Sequence, residues 1–129
     1  MILLIRTDKA ESELLLYSKA DLVESYIWQA GRELSTTIHL QIEQLLHRHN
    51  KKLEDIEGIV IFKGPGSFTG LRIGFSVANL LAYSLKIPII SSAGNDWAMT
   101  GIVRVLNFED EKVALPDYGV PAQITAQKK

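Results

Sequence analysis

The stretch "IVIFKGPGSFTGLRIGFSVANLLAY", residues 59–83, decides the fold. Four apolar residues and a lysine lead into a glycine-proline turn, and a long apolar pattern follows. Residues 56–62 read as a strand and residues 68–85 as a helix, and residues 88–90 read as a further short strand. Strand, turn, helix and strand at this length imply a right-handed crossover and parallel pairing.

Working outward, residues 2–5 form a short continuous apolar run that reads as a buried strand. Residues 12–17 and 22–28 are two more strands, joined by the polar turn Ser18-Lys19-Ala20-Asp21. An antiparallel meander is the simplest assembly of the three. Gly31-Arg32-Glu33 breaks the pattern. Ser35 or Thr36 is then expected to cap a helix reaching about Asn50, its hydroxyl accepting from an orphan backbone N–H. Ile38, Ile42, Leu45 and Leu46 make one apolar stripe on that helix. The whole reads as an α/β fold: a mixed sheet, antiparallel first and parallel later, with helices packed on it. Beyond Ser92, "GNDWAMTG" reads as a short helix and "IVRVLNF" as a strand. From Phe108 a further strand is expected to lead to a polar tail ending in a frayed "TAQKK". The expected division is a lobe over residues 1–92 and a reduced C-terminal segment over 93–129.

Composition narrows the function classes. A chain of 129 residues with 47% hydrophobic and 22% charged residues suits one domain with its own core. A formal net charge of -1 supplies no field toward nucleic acid or an anionic membrane, and no basic run with RNA-binding aromatics appears. The chain has no cysteine, which excludes thiolate chemistry and fits a reducing compartment. "MILLIRTDK" carries too short an apolar run for a signal peptide, so a cytoplasmic protein without membrane contact is expected. His47 and His49 point apart on the helix, and His39 is two turns from His47; surface histidines and no metal site are expected. Ser67 has no evident base or acid and is not in a nucleophile elbow, so no catalytic residue is assigned.

The glycine turn is neither a Walker A loop nor a GxGxxG fingerprint, because Thr69 and Gly70 stand where a glycine and a lysine would be needed and the third glycine comes late. Helix N-termini nonetheless attract anions, so Gly64, Gly66, Ser67 and Thr69 are candidate phosphate-turn residues. The plainer reading is a tight turn in which Pro65 fixes φ, Gly66 supplies a positive φ and Ser67 caps the helix. On that helix Arg72, Ser76, Asn79, Tyr83 and Lys86 form a narrow polar stripe, and the rest is apolar or small. The surplus apolar arc is covered either by the 35–50 helix or by another chain, with Gly74, Ala78 and Ala82 permitting close helix approach.

"GPGSFTGLRIG", residues 64–74, resembles the signature of the TsaB (YeaZ) family, unbroken over eleven residues. The surrounding "LEDIEGIVIFKGPGSFTGLRIG", the apolar helix and "IPII" are similar to that family in order, and the resemblance is good over residues 1–92. The end, "LPDYGVPAQITAQKK", is similar to its proline- and tyrosine-containing tail. The resemblance implies a lobe of the actin-like ATPase, ribonuclease-H-like superfamily. It further implies a non-catalytic subunit that docks two helices on the related catalytic subunit TsaD. TsaD, assisted by the small ATPase TsaE, transfers threonylcarbamoyl to the adenosine beside the anticodon of tRNAs reading ANN codons. Ile38, Ile42, Leu45 and Leu46 on one helix, with Leu71, Ile73, Gly74, Val77, Ala78 and Leu81 on the other, are then the expected interface. A homodimer is expected when the partner is missing, and tRNA is contacted only indirectly. No intrinsic cofactor is expected; ATP or ADP with Mg²⁺ belongs only at the subunit interface. Two departures stand out. Arg6 occupies the position of the family's first-strand aspartate, and a cation cannot hold Mg²⁺. The 37 residues after Ser92 are too few for the family's second lobe, which is expected to be largely missing. The rival reading is a small nucleotide-binding protein or ATPase using residues 64–69. A third is a family relic whose C-terminal part serves a different partner.

Overall fold

The computed structural model describes residues 1–119. Five strands, β1 (Ile2–Arg6), β2 (Glu11–Ser18), β3 (Asp21–Gln29), β4 (Gly58–Phe62) and β5 (Ile89–Ser92), form one sheet in the order β3-β2-β1-β4-β5. β1 to β3 are an antiparallel meander, while β4 pairs parallel with both β1 and β5. Helices α1 (Leu34–Arg48) and α2 (Phe68–Leu85) cover one face, and α3 (Trp97–Leu106) lies on the other.

The central strands are apolar without a break because both of their faces are buried. Leu3, Ile5, Ile59 and Ile61 enter the core under α1 and α2, whereas Ile2, Leu4, Val60 and Phe62 enter the core under α3. The edge strand β3 instead alternates: Tyr26 and Trp28 pack inward, and Ser25, Ile27 and Gln29 are exposed. Trp28 donates its indole N–H to Thr37 Oγ1 at 3.2 Å, tying the edge to α1.

Several boundaries differ from expectation. α1 follows a 3₁₀ turn at Gly31–Glu33, and no side-chain oxygen caps it. Thr36 and Thr37 instead donate their hydroxyls to the Glu33 carbonyl, at 3.0 and 2.8 Å. β4 starts at Gly58 because a second 3₁₀ turn, Leu53–Asp55, uses the residues before it. The separate helix and strand expected beyond Ser92 are one helix, α3. Trp97, Gly101, Ile102 and Val105 are buried at helical spacing, and β-branched residues had suggested a strand. A Cβ at Gly101 would lie 2.3 Å from Val60 Cγ1, so α3 packs very close to β4.

The segment from Phe108 is not a strand. It covers the outer edge of β5, where Asp110 Oδ1 accepts from the Ile89 N–H (3.1 Å) and Glu111 accepts from the Ser91 N–H (3.0 Å) and hydroxyl (2.8 Å). Arg104 pairs with Glu109 and Glu111 and holds the loop in place. An exposed sheet edge is thereby satisfied by side chains. The tail expected to fray at 125–129 lies outside the described residues. Among the described residues, no helix is long and apolar enough to cross a membrane.

Candidate docking site

The glycine turn joins β4 to α2, and it is fastened to the end of β1. Ser67 caps α2, its Oγ accepting from the Gly70 N–H at 3.3 Å, as expected. The positive φ falls on Gly64 (107°), not on Gly66. Gly66 is required for another reason: a Cβ there would lie 2.4 Å from the Cβ of Asp8. The Ser67 N–H donates to the Asp8 carbonyl at 2.7 Å, and the Thr7 hydroxyl donates to the Gly70 carbonyl at 2.8 Å. The amides of Ser67 and Gly70 are therefore already bonded within the chain.

Arg6 is engaged as well. Its guanidinium pairs with both oxygens of Asp8, at 2.8 and 3.2 Å, and lies 3.8 Å from the centroid of the Phe62 ring. The Asp8 carboxylate is thus held by a cation. Among the described residues, no group of three or more metal-ligating His, Asp or Glu side chains exists.

The flanks of α2 are covered by the chain itself. Leu71, Gly74, Phe75, Val77, Ala78 and Ala82 are buried on the sheet and against α1. On the opposite flank the segment 113–119 runs along the helix. Asn79 clamps it by donating to the Ala114 carbonyl at 3.0 Å and accepting from the Ala114 N–H at 2.8 Å. The Asp117 N–H donates to the Lys63 carbonyl at 2.8 Å, and Tyr118 stacks on Phe68 with centroids 4.4 Å apart. Asn79 is therefore not part of a solvated polar stripe.

This corrects the expected interface. Ile38, Ile42, Leu45 and Leu46 of α1, with Leu71, Gly74 and Ala78 of α2, are core residues that present almost no surface to a second protein, while Val77 is 8% exposed and reaches the surface only at the floor of a groove. Only Ile73 and Leu81 of that set are partly exposed. Gly74 permits close approach to Thr7, whose Oγ1 would be 2.0 Å from an added Cβ, rather than approach to another helix. The physical reason is that strong hydropathy marks what the fold buries first.

An outward surface remains. Between α1 and α2 an open groove of about 570 Å³ is lined by Ser35, His39, Thr69, Arg72, Ile73, Ser76, Val77 and Leu80. Leu80 is 58% exposed, and the neighbouring Tyr83 is 83% exposed. Outside the groove Phe68 is 56% exposed, and the Arg72 guanidinium lies 5.6 Å from its ring centroid. Ser35, His39, Arg72, Ser76 and Leu80 were not singled out as contacts from sequence. Helical spacing was the available signal, since residues 72, 76, 80 and 83 share one face. Of the histidines, His39 lines this groove and His47 lies exposed on α1. His49 is not a free surface group: its Nε2 lies 2.7 Å from Glu24 Oε1, beside Arg48 bound to the same carboxylate.

The sheet order, the two-sided helical cover and the β4-turn-α2 junction define a lobe of the ribonuclease-H-like, actin-like fold. The family model "TsaD: tRNA N6-adenosine threonylcarbamoyltransferase" matches residues 28–92. The curated "tRNA threonylcarbamoyladenosine biosynthesis protein TsaB" of Bacillus subtilis is 35% identical over 88 residues, 68% of this chain and 38% of the relative. Its counterpart of the same name in Escherichia coli is 31% identical over 97 residues, 70% of this chain and 42% of the relative. A crystal structure from Pseudomonas aeruginosa, of a protein "with similarity to peptidase YEAZ", shares the fold with a TM-score of 0.67 at 24% identity, over 71% of this chain and 42% of that one. The chain belongs to the TsaB (YeaZ) family, within the reach of the broader TsaD family model. It spans about two fifths of the length of the curated relatives it matches.

Proposed function

We propose that the chain is a non-catalytic accessory subunit in the formation of threonylcarbamoyladenosine on tRNAs reading ANN codons, docking on a TsaD-like catalytic subunit through α1 and α2. The observation that supports this reading is the open groove between these helices, lined by the partly exposed Ile73 and by Leu80, which is 58% exposed. Exposed apolar and aromatic residues grouped in a concave surface mark protein contacts. The Thr7–Gly70 and Asn79–Ala114 bonds hold α2 in a fixed orientation, so that the groove is preformed. In this reading a TsaE-like ATPase joins the same complex and tRNA is contacted only through the partner. ATP or ADP with Mg²⁺ belongs between subunits, because Arg6 and the Ser67 and Gly70 amides are bonded within this chain. Self-association through the same groove is the expected fallback when the partner is missing.

Leu80→Arg tests the proposal, because it places a charge on the exposed rim without touching the core. Titration calorimetry against the cognate TsaD-like subunit is expected to show on the order of 100-fold weaker binding. Wild-type affinity for the variant would remove the groove from the interface. Micromolar binding and turnover of ATP by the isolated chain would favour the nucleotide-binding alternative at residues 64–69.

A further inference from the structure

The groove has a charge imbalance. None of its lining side chains is acidic, and Arg72 projects a guanidinium into it beside Thr69, Ile73, Ser76 and Leu80. Among the described residues, Arg72 and the exposed Arg32 make no ion pair, whereas Arg6, Arg48 and Arg104 each hold a carboxylate, and of the two only Arg72 lines the groove. Phe68 supports the guanidinium from one side, a face that steers an arginine without neutralising it. Closing a partner over this surface would desolvate the cation, which is costly unless a carboxylate arrives with the partner. The trough between two packed helices suits a third helix laid along it.

We infer that the partner presents an apolar helix face bearing one carboxylate, and that this carboxylate pairs with Arg72 through the planar fork of its guanidinium. The inference rests on the docking reading above and names the partner's chemistry. It also ranks the occupants. A second copy related by a two-fold axis would bring another Arg72 and no acidic lining residue, so self-association through the groove is the weaker mode. An acid-bearing heterologous chain is the fitted occupant.

The test measures binding kinetics to the cognate TsaD-like subunit at low and high salt for wild type, Arg72→Met, Arg72→Lys and Leu80→Arg. Circular dichroism checks that each variant is folded. Arg72→Met is expected to bind roughly 30-fold more weakly, with a flattened salt dependence of the association rate, and Arg72→Lys to recover part of the loss. If Arg72→Met binds like wild type while Leu80→Arg fails, the carboxylate is refuted and the docking groove stands. If Leu80→Arg also binds normally, both fall. Sedimentation of the chain alone is expected to show at most a dimer weaker than the complex with the TsaD-like subunit; a homodimer tighter than that complex and dissociated by Arg72→Met would overturn the heterologous assignment.

Discussion

The Thr7 hydroxyl donates to the carbonyl oxygen of Gly70, 63 positions later, at 2.8 Å, and the contact fixes how closely α2 approaches the end of β1. The fit requires two glycines one turn apart. A Cβ at Gly70 would lie 2.2 Å from the Thr7 carbonyl oxygen, and one at Gly74 would lie 2.0 Å from Thr7 Oγ1. These separations are far inside van der Waals contact.

The two glycines are expected to respond differently to relief at Thr7. Gly74→Ala should cost about 2 kcal/mol, since overpacking outweighs the gain in helix propensity. Thr7→Ala removes the obstructing hydroxyl, so the double variant should lose less than the sum of the two single changes. Gly70→Ala meets a backbone carbonyl instead, and Thr7→Ala should not rescue it. Urea unfolding of six proteins, the wild type, the three single variants and the two double variants, measures the coupling; equal rescue at both positions would contradict the packing described.

Asn79 is expected to hold the segment 113–119 against α2. Both of its bonds go to Ala114, which is 1% exposed, so Asn79→Ala would leave a buried donor and a buried acceptor unsatisfied. The expected loss is about 2 kcal/mol, with faster proteolytic cleavage near Ala114 than elsewhere. Uniform cleavage along the chain would argue that the clamp has no local role.

Much of this lobe is legible in its sequence. Unbroken apolar runs at β1 and β4 report strands buried on both faces, and the capped turn at Ser67 reports the start of α2. The end of the lobe is less legible, because Ile102, Val103 and Val105 carry strand propensity while their burial follows helical spacing. The docking surface is the least legible part. Hydropathy selected Ile38, Leu71 and Ala78, which the core takes, whereas Ser35, His39 and Ser76 line the groove with no apolar signal. Ala78→Arg would consequently unfold the protein and say nothing about docking.

The Glu24 carboxyl is held below its ordinary value of 4.5, first by the hydrogen bond from Arg48 and then by that from His49. A lowered folded-state value means that the tie between β3 and α1 is fully present above the unfolded value. It is lost as pH falls through the lowered one. Thermal unfolding of wild type and Glu24→Gln should therefore differ most above the ordinary carboxylate value and converge as pH falls through the lowered one. The difference should stay under about 1 kcal/mol, because the Glu24 and Arg48 side chains are 27% and 40% exposed and solvent screens the pair. A gap that widens in acid would reverse the assigned sign.

Hydrogen–deuterium exchange of the chain, free and bound to its cognate TsaD-like subunit, examines the docking surface without any substitution. Slower exchange on binding is expected in α1 near Ser35–His39 and in α2 from Thr69 to Leu80, with α3 unchanged. Protection confined to α3, where Met99, Val103 and Leu106 are also exposed, would place the partner on the opposite face of the sheet and contradict the assignment.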